Sequence, residues 1–406
     1  MISRAPLFAG LAAAMCISAS ATAAEPDYQE IFGEIEFEGT GFAETPAFDR
    51  QRSQGAAIAG KATLLLEWAE GDYAFRFTPF GRVDATDDRR THFDIRELKL
   101  DGLAGDWSFT VGVDTVFWGK TEAVHLVDVV NQTDQVEGLD GEDKLGQPML
   151  RFGYLAEIGE FSGYLLPYFR ERTFAGARGR LRGDPPVKTG GAIYGTAAEE
   201  WTPAAAARFA GVFGDVDLGL SGFYGLGRDP AFFFDGQALR PFYELIGQVG
   251  VDAQLTDGAT LWKGEAIARF DQKNARFRDE DFVALTGGLE HTLFGVMGSN
   301  ADLGLIVEYA LDSRFSDAST PFRNDLILGA RLALNDALDT EILLTGALDA
   351  QSAETTFRLE ASRRLNEDFS VSLEGQAFAN TDSDSPLHAL RRDSFMRVKL
   401  TYYFGG

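Results

Sequence analysis

The sequence is poor in cysteine, in positive charge and in long apolar runs. Cys16 is the only cysteine among 406 residues, so a disulfide framework and a thiolate metal site are excluded. Acidic residues outnumber basic ones by 62 to 37 and give a formal net charge of −25, which argues against a nucleic-acid partner. After residue 24 there is no uninterrupted run of about 18 apolar residues, the length that a membrane-spanning helix needs.

The first 24 residues have the pattern of a signal peptide. Arg4 provides a positive start, residues 7–17 are mostly apolar, and the small residues 21–24 form a cleavage site. The alternative, a buried N-terminal helix, is disfavoured by these three features together. Cleavage after Ala24 would leave residues 25–406 as a single exported domain.

Apolar and polar residues alternate with a period of two along most of the remaining chain. Between residues 215 and 226, Val216, Leu218 and Leu220 share one face, while Asp217 and Gly219 lie on the other. A helix would distribute such residues around its circumference, whereas a strand separates them onto two faces. Because only every second residue of a barrel strand meets lipid, the pattern predicts an all-β fold, a transmembrane antiparallel β-barrel.

About 18 such segments can be counted, with about 16 as the alternative number, and most have the length of a tilted membrane-crossing strand. Short turns alternate with longer loops, as in barrels with short periplasmic turns and longer extracellular loops. Aromatic residues on the apolar face gather near segment ends, where they would form girdles at both membrane surfaces. The segments lie near residues 28–38, 55–68, 72–84, 92–103, 106–118, 148–158, 161–173, 203–213, 215–226, 242–255, 259–271, 282–293, 301–312, 324–334, 339–349, 354–365, 368–379 and 394–404.

A few residues fit this pattern badly. Pro79 and Pro167 lie inside predicted strands, where each removes a hydrogen-bond donor, so we expect bulges there. The segment 92–103 needs a one-residue slip between Ile95 and Leu98, which again predicts a bulge. Arg363 falls on the lipid face, and its position beside a short turn places it at the membrane surface.

The inward face of these segments carries many ionisable groups. A dry core would have to pair each of them at considerable cost, whereas a water-filled lumen accommodates them. Their mixed signs predict either a transverse field that orients solutes or ion pairs that simply hold the wall together. The inward set comprises Lys61, Arg76, Arg82, Arg151, Arg170, Arg172, Arg208, Lys263, Arg269, Arg331, Arg358, Arg364, Arg397 and Lys399, with Glu34, Glu36, Glu67, Asp114, Glu244, Asp252, Glu265, Glu308, Glu360 and Glu374.

The loop at residues 119–147 has an unusual composition, because it contains an apolar stretch that should not face water. It could fold into the barrel and narrow a pore, or it could pack on the barrel rim. Trp118 could equally be an anchor at the membrane surface. The candidate constriction residues are Trp118, Gly119, Lys120, His125, Asp128, Asn131 and Asp134.

Acidic residues also cluster in the expected outer loops. They could hold divalent cations that bridge lipopolysaccharide, or they could simply be solvated. The clusters are residues 84–88, residues 279–281, Asp382 with Asp384, and the group Glu137, Asp140, Glu142 and Asp143.

One stretch of the sequence carries a family resemblance. Arg96-Glu97-Leu98, Asp106-Trp107, Trp118-Gly119-Lys120 and Asp128-Val129-Val130-Asn131, together with Gly112 and Asp134, resemble a pattern in Gram-negative outer-membrane barrels of unassigned substrate. More loosely, the chain is similar to the alginate-export type of porin, an 18-stranded barrel with an arginine-rich lumen. The resemblance covers roughly residues 92–135 and implies a channel, with no catalytic residues to carry over.

The sequence therefore predicts a porin-like channel in the Gram-negative outer membrane that passes small hydrophilic solutes, including anionic ones. Export of an anionic polysaccharide is the alternative. We expect no enzyme, because the four histidines His92, His125, His291 and His388 lie in no recognisable nucleophile motif. An adhesin or anchor would need a further domain, for which the segments leave no room.

No cofactor and no metal ion are expected. The expected partners are outer-membrane lipid and lipopolysaccharide, the barrel assembly machinery and further copies of the chain in a homo-oligomer. The segment 395–404 alternates like the C-terminal strand that the assembly machinery recognises, although Gly405 and Gly406 follow its last aromatic residue.

Overall fold

The computed structural model describes residues 25–381, 383 and 385–405. The expected signal peptide, Asp382 and Asp384 lie outside the described residues. An 18-stranded antiparallel sheet closes into a barrel, because each strand pairs with the next barrel strand and the first pairs with the last. The barrel strands are β1 (Tyr28–Phe42), β2 (Gln54–Trp68), β3 (Tyr73–Asp84), β4 (His92–Ala104), β5 (Trp107–Asp114), β6 (Gln147–Ala156), β7 (Gly159–Leu166), β9 (Ala204–Phe213), β10 (Val216–Leu226), β13 (Leu245–Asp257), β14 (Thr260–Lys273), β15 (Asp279–Leu293), β16 (Asp302–Asp312), β17 (Asn324–Ala333), β18 (Glu341–Asp349), β19 (Thr355–Arg364), β20 (Phe369–Ala379) and β21 (Phe395–Phe404).

Smaller elements occupy the connections. The strands β8 (Ile193–Tyr194), β11 (Ala231–Phe234) and β12 (Leu239–Tyr243) form a separate small sheet in two of the long loops. Short 3-10 helices lie at Ala69–Gly71, Glu199–Trp201, Val296–Gly298, Phe315–Asp317 and Pro386–Leu390. Among the described residues, none of the helices has the length and apolar character needed to cross a membrane.

Each predicted segment corresponds to one barrel strand, so the predicted count of 18 is confirmed. Two strands end four or more residues earlier than predicted. β5 ends at Asp114 instead of residue 118, and β7 ends at Leu166 instead of residue 173. The bulge predicted at Pro167 is therefore wrong: Pro167 has no amide hydrogen to donate to the ladder, and the strand stops before it.

The irregularities predicted at Pro79 and within residues 92–103 are a single bulge. Thr78 faces Glu97, whereas Pro79 faces Ile95, so that Arg96 has no partner on β3. An extra residue in one strand restores the correct face on both sides of the irregularity. The slip therefore turns both Ile95 and Leu98 outward, as the sequence pattern required.

The outer surface of the barrel is apolar and ringed by aromatic side chains. At the short-turn end, Trp107 packs against Tyr154 with ring centroids 4.6 Å apart, and Phe369 packs against Tyr402 at 5.0 Å. Arg363 donates to Asp336 of a neighbouring short turn, with a 2.9 Å separation between nitrogen and oxygen. The one cation predicted on the lipid face thus has an anionic partner at the turn.

Candidate functional site

The connection between β5 and β6, residues 115–146, lies inside the barrel; we call it the inner loop. Its side chains and backbone contact inward-facing side chains of β3, β4, β13, β14, β16, β17, β19 and β21. These strands are spread around most of the closed ring. A single segment reaches such distant parts of the wall only from the interior.

The apolar part of the inner loop packs against one side of the wall. Val127, Val129 and Val130 are almost fully buried and share a cluster with Ile246 of β13 and Ile267 of β14. The remaining members of this cluster are Trp118 of the inner loop and wall residues on β6, β7, β9, β10 and β15. Removing these side chains from water stabilises the docked loop, since burying one valine contributes about 1.5–3 kcal/mol.

Two wall carboxylates bind the backbone of the inner loop. Glu265 accepts hydrogen bonds from the amides of Lys120 (2.7 Å) and Thr121 (3.2 Å) through one oxygen, and from the amide of Val127 (3.2 Å) through the other. Glu308 accepts from the amide of Glu122 at 2.8 Å. A buried carboxylate needs such donors, and here they come from loop amides that would otherwise lack partners.

Gly119 makes the approach of Glu265 sterically feasible. Its φ of +150° is a conformation that residues with side chains rarely adopt. A β-carbon at this position would lie 3.1 Å from Glu265 Oε1 and 3.0 Å from the His125 ring. The Trp118-Gly119-Lys120 sequence therefore combines a packing side chain, a tight bend and an amide that binds the wall.

Trp118 is buried inside the barrel, so the structure does not place it at the membrane surface. Its ring meets Tyr164 edge-on at 5.6 Å, and the guanidinium of Arg208 lies 5.2 Å from its centroid. Arg208 in turn pairs with Asp252 at 2.8 Å. The tryptophan thus joins the inner loop to the wall through both packing and a cation–π contact.

Arg228, in the connection after β10, anchors the apolar part of the inner loop from outside the loop. Its guanidinium donates to the carbonyls of Val129 (3.2 Å) and Val130 (2.7 Å) and lies between the rings of Phe169 and Phe223. Burial lowers the pKa of Arg228 to about 10. The cation is thus held by carbonyl dipoles and aromatic faces.

The middle of the inner loop is fixed by Asn131 and Asp134. Asn131 accepts from the amide of Val116 at 2.9 Å and donates to the carbonyls of Asp114 and Leu145, both at 2.9 Å. These three contacts satisfy a side chain that is 1% exposed. Asn131 therefore ties the two ends of the loop together.

Asp134 lies 2.6 Å from Arg96 and 3.2 Å from His92, and Thr173 donates to it at 2.7 Å. Burial by itself would raise the pKa of Asp134. The hydrogen bond from His92 and the charge of Arg96 outweigh that effect, so the pKa of Asp134 lies below its usual range. The carboxylate consequently remains charged at any physiological pH.

His92, Asp134 and Glu137 each place one potential ligand atom within 4.8 Å of the others. The two carboxylates are already engaged by Arg96 and Arg82, at 2.6 and 2.7 Å. The group is therefore an ion-pair network between the inner loop and the wall.

Residues 137–143, which we call the loop tip, reach the side of the wall opposite the apolar cluster. Glu137 pairs with Arg82 of β3 at 2.7 Å, and Asp140 pairs with Arg358 of β19 at 2.6 Å. These contacts correct the expectation that Glu137 and Asp140 belong to an acidic cluster of an outer loop. An acidic segment is drawn inward here because the wall offers arginines.

A second acidic group of the inner loop faces the basic wall. Glu122 lies 2.7 Å from Arg331 of β17 and 3.9 Å from Lys263 of β14. Lys263 also pairs with Glu290 at 3.1 Å. Together with the pair between Asp140 and Arg358, these contacts line up carboxylates of the loop against cations of the wall.

The remaining tip carboxylates are crowded. Desolvation by the surrounding protein, together with the neighbouring charges of Asp140 and Glu137, raises the pKa of Asp143 to about 6. Desolvation and Asp140 also raise the pKa of Glu142. The negative charge of the loop tip therefore depends on pH in the range where these groups titrate.

The inner loop leaves one side of the barrel interior open. Glu265 and Glu308, on the side that the loop covers, are 4% and 1% exposed. The side chains of Lys61 and Arg76, on β2 and β3, are 48% and 40% exposed, and that of Glu360 on β19 is 40% exposed. Exposed charged side chains of the interior thus lie on β2, β3 and β19, away from the apolar cluster.

Many of the predicted inward charges form cross-strand pairs on this open side. Lys61 pairs with Glu34 at 2.9 Å, and Arg397 pairs with Glu374 at 3.0 Å. Further contacts join Arg82 to Glu36 and Glu38, Lys399 to Glu36, Arg76 to Glu97, and Arg358 to Glu360. Other predicted inward residues form the contacts Asp114 with Lys99, Arg151 with Glu160, Arg269 with Asp229, Arg364 with Asp339 and Glu244 with the amide of Lys273.

Arg170 and Arg172 are not strand residues, which corrects their predicted place on β7. Both lie in the connection after Leu166 and still turn inward: Arg170 pairs with Asp94 of β4 at 2.8 Å, and Arg172 pairs with Asp229 at 2.7 Å. The rest of the predicted loop set is also engaged. Asp128 lies 2.7 Å from Lys144, His125 packs edge-on against Phe117, and Lys120 lies 3.9 Å from Asp217.

Sequence reasoning did not single out Glu122 or Arg228, and it quoted Arg96 only as part of a family resemblance. It assigned Asp140 and Glu142 to a solvated or cation-binding outer loop. Arg96 could have been found, because the expected bulge turns it inward. The loop residues carried no periodic signal. The contacts of Arg228 with the loop, and those of Glu122 and Asp140 with wall arginines, join positions 98 to 218 apart along the chain.

The sequence matches no protein-family model and no curated protein. The fold, in contrast, is similar to solved structures. OccD3 (OpdP) of Pseudomonas aeruginosa superposes with a TM-score of 0.54 at 9% identity, over 94% of this chain and 92% of that one. OccAB3 of Acinetobacter baumannii gives 0.55 at 8% identity, over 93% and 99% of the two chains.

A third similar structure is Wzi of Escherichia coli, described as a carbohydrate-binding β-barrel involved in group 1 capsule assembly. It gives a TM-score of 0.51 at 10% identity, over 91% of this chain and 84% of that one. At these identities the likeness concerns the fold. With the closed 18-stranded wall, the apolar outer belt and the charged interior, it makes the chain an outer-membrane β-barrel with the porin fold.

Proposed function

We propose that the barrel is a channel for small hydrophilic solutes and that the inner loop forms its constriction. The observation that carries this proposal is the pairing of loop carboxylates with wall cations on β3, β17 and β19. A loop held from both sides narrows the interior without filling it, and the open side keeps exposed charges. An 18-stranded wall is wide enough to leave an aqueous path beside such a loop.

The constriction would carry a transverse electric field. Glu122, Asp140 and Glu142 project from the loop, while Arg331 and Arg358 project from the wall. A dipolar solute would be turned so that its positive end faces the loop and its negative end faces the wall. We therefore infer that zwitterions pass more readily than neutral solutes of the same size.

Liposome swelling tests this inference directly. Vesicles containing the purified barrel are diluted into isotonic solutions of a zwitterionic amino acid or of a neutral polyol of similar size. Faster swelling in the amino acid is expected for the native chain, and the double variant Asp140→Asn/Arg358→Gln should reduce that difference. Equal swelling rates for both solutes in the native chain would contradict the transverse-field proposal.

Single-channel recording tests the constriction itself. Replacing residues 138–142 by two glycines shortens the loop tip and removes Asp140 and Glu142, so conductance should rise. A matched control shortens residues 235–238, the turn between β11 and β12, where Asp235 lies exposed in an outer connection. Unchanged conductance in the tip variant, with a folded barrel, would rule out the constriction.

The alternative of anionic-polymer export gives a different result in the same bilayer. A path for a polyanion should be clearly anion-selective under a salt gradient, because it has to lower the barrier to negative charge. The carboxylates of the loop tip oppose that selectivity. A strongly anion-selective reversal potential would favour polymer export over our proposal.

A further inference from the structure

The outer face of the barrel carries a groove at its loop end. The groove has a volume of about 430 Å³ and crosses β18, β19, β20, β21 and β1. Its outward-facing lining includes Leu344, Phe357, Ala377, Met396 and Gly41. Phe357 and Met396 are about half exposed and form its raised sides.

Small residues create this hollow. A β-carbon added to Gly41 or to Gly39 would meet no other atom within 4 Å, so the space above β1 is empty of protein. Ala377 contributes a single methyl group on the neighbouring part of the wall. Because these positions face outward within a membrane-crossing strand, the hollow opens towards the hydrocarbon of the membrane.

The groove reaches the extracellular end of the wall, where exposed cations adjoin it. Its lining includes Ala43, which directly follows β1, and Ser394, which directly precedes β21. Arg392, two residues before Ser394, is about half exposed and lies 3.9 Å from Glu44. Arg391 lies beside it and stacks over Phe48, and Arg50 in the same loop is exposed.

We propose that this groove binds one acyl chain of a phosphorylated glycolipid of the lipid A type, while Arg392 and its basic neighbours bind the glycolipid's phosphate. Moving an acyl chain from the bulk bilayer into the groove removes no apolar surface from water, so the hydrophobic effect does not favour binding. A specific lipid is therefore retained by shape and by polar contacts. The groove supplies the shape, since a chain lying in it contacts protein on three sides. Arginine supplies the polar contact, because its guanidinium forms paired hydrogen bonds with phosphate.

The mixed charges beside the groove favour this glycolipid over an ordinary membrane phospholipid. Glu44 and Asp49 lie near the arginines and would repel a phosphate that arrives without compensation. A lipid with two phosphates and bound divalent cations can engage both signs, with the arginines on phosphate and the carboxylates on the cations. A phospholipid with one phosphate would make only the first of these contacts.

The test measures the lipid retained by the barrel. The native chain, Gly41→Phe/Ala377→Phe and Arg392→Glu are extracted from Gram-negative outer membranes in mild detergent and purified. Bound lipid A is quantified by its 3-hydroxy fatty acids and bound phospholipid by its glycerol. The folded state of each variant is checked by its mobility on a gel before and after heating.

Gly222→Phe is the matched control, because this glycine is also outward-facing with open space above it, but on β10. We expect the groove-filling variant to lose most of the lipid A that the native chain retains, Arg392→Glu to lose a smaller part, and Gly222→Phe to lose none. Equal lipid A in all folded variants, or phospholipid as the retained lipid of the native chain, would overturn the proposal.

Discussion

The guanidinium of Arg358 on β19 lies 2.6 Å from the carboxylate of Asp140, although 218 positions separate the two residues in the chain. This ion pair joins the tip of the inner loop to the wall. It lies beside the open part of the interior, so the loop and the wall share the border of any aqueous path. A pair in that position can influence both the width of the path and the charge that a solute meets.

The first prediction concerns this pair. Asp140→Asn removes the charge that holds the loop tip against Arg358 and leaves the arginine with Glu360 as its acidic partner, so the tip repels anions less. We expect higher single-channel conductance and a reversal potential shifted towards anion selectivity. Asp235→Asn, the same change in an exposed outer turn, should leave both quantities unaltered. A variant indistinguishable from the native channel would show that the pair does not border the conduction path.

The second prediction concerns Glu265, which binds three backbone amides of the inner loop. Glu265→Gln keeps the shape but turns one acceptor into a donor that faces other donors. A buried donor left without a partner costs about 1–3 kcal/mol, so the loop should undock more often. Faster protease cleavage within residues 119–128 of the detergent-solubilised barrel is the expected readout.

Its control is Glu34→Gln, where the carboxylate pairs with Lys61 of the wall. This change should leave the cleavage rate of the inner loop as it is in the native chain. Equal protection of the loop in both variants would show that Glu265 does not hold it.

The third prediction is a pH dependence of ion selectivity. The pKa of Asp143 is raised to about 6, so the carboxylate is ionised at pH 7.5 and largely neutral at pH 5. Acidification therefore removes negative charge from the loop tip and should shift the reversal potential towards anions. Asp143→Asn should abolish most of the shift between these two pH values. The same shift in this variant would assign it to other groups.

The sign of the accompanying stability change also follows. Because the pKa of Asp143 is higher in the folded chain than its usual value of 3.8, the folded state binds the proton more tightly. The contribution of Asp143 to the stability of the docked loop therefore falls as the pH rises from about 4 to about 6. Loop protection from protease should be greater at pH 5 than at pH 7.5 for the native chain, and less so for Asp143→Asn.

The fourth prediction concerns Arg228. Arg228→Met retains much of the side-chain volume between Phe169 and Phe223 but leaves the carbonyls of Val129 and Val130 without their donor. Each orphaned buried acceptor costs about 1–3 kcal/mol, and the apolar part of the inner loop should loosen. We expect noisier single-channel currents with frequent excursions to higher conductance.

Arg276→Met is the matched control, because its guanidinium is 61% exposed in the loop after β14. Its currents should remain as quiet as those of the native chain. Quiet currents in Arg228→Met as well would mean that packing alone keeps the loop in place.

The wall of the barrel was predictable because successive side chains of each strand face lipid and the aqueous interior in turn. Each strand must offer apolar side chains to lipid and polar ones to the interior, and this requirement leaves a period of two that local sequence displays. It located every strand of the barrel and placed Arg331 and Arg358 on the inner face. It also indicated the bulge that turns Arg96 inward.

The inner loop was only partly predictable, for the opposite reason. Val127, Val129 and Val130 indicated that the segment is buried away from water. Packing on the barrel rim and packing inside the barrel both meet that requirement. The choice between them depends on hydrogen-bond partners that the chain supplies much later, such as the acceptor Glu308 and the donor Arg228. The prediction that Arg170 and Arg172 lie on β7 was wrong for a different reason. The alternation of apolar and polar residues continues past Pro167 by chance, but Pro167 has no amide hydrogen and the strand ends before it.

The order in which the chain is made has a consequence for the newly exported polypeptide. Glu265, Glu308, Arg331 and Arg358 follow their inner-loop partners by 145, 186, 209 and 218 positions. Until the C-terminal half has joined the sheet, the valines of the inner loop lack their contacts with Ile246 and Ile267, and the amides of Lys120, Thr121 and Val127 lack their acceptor Glu265. A chain that stalls at that stage exposes an apolar segment in the periplasm. We expect chaperones that keep exported polypeptides unfolded to bind this segment.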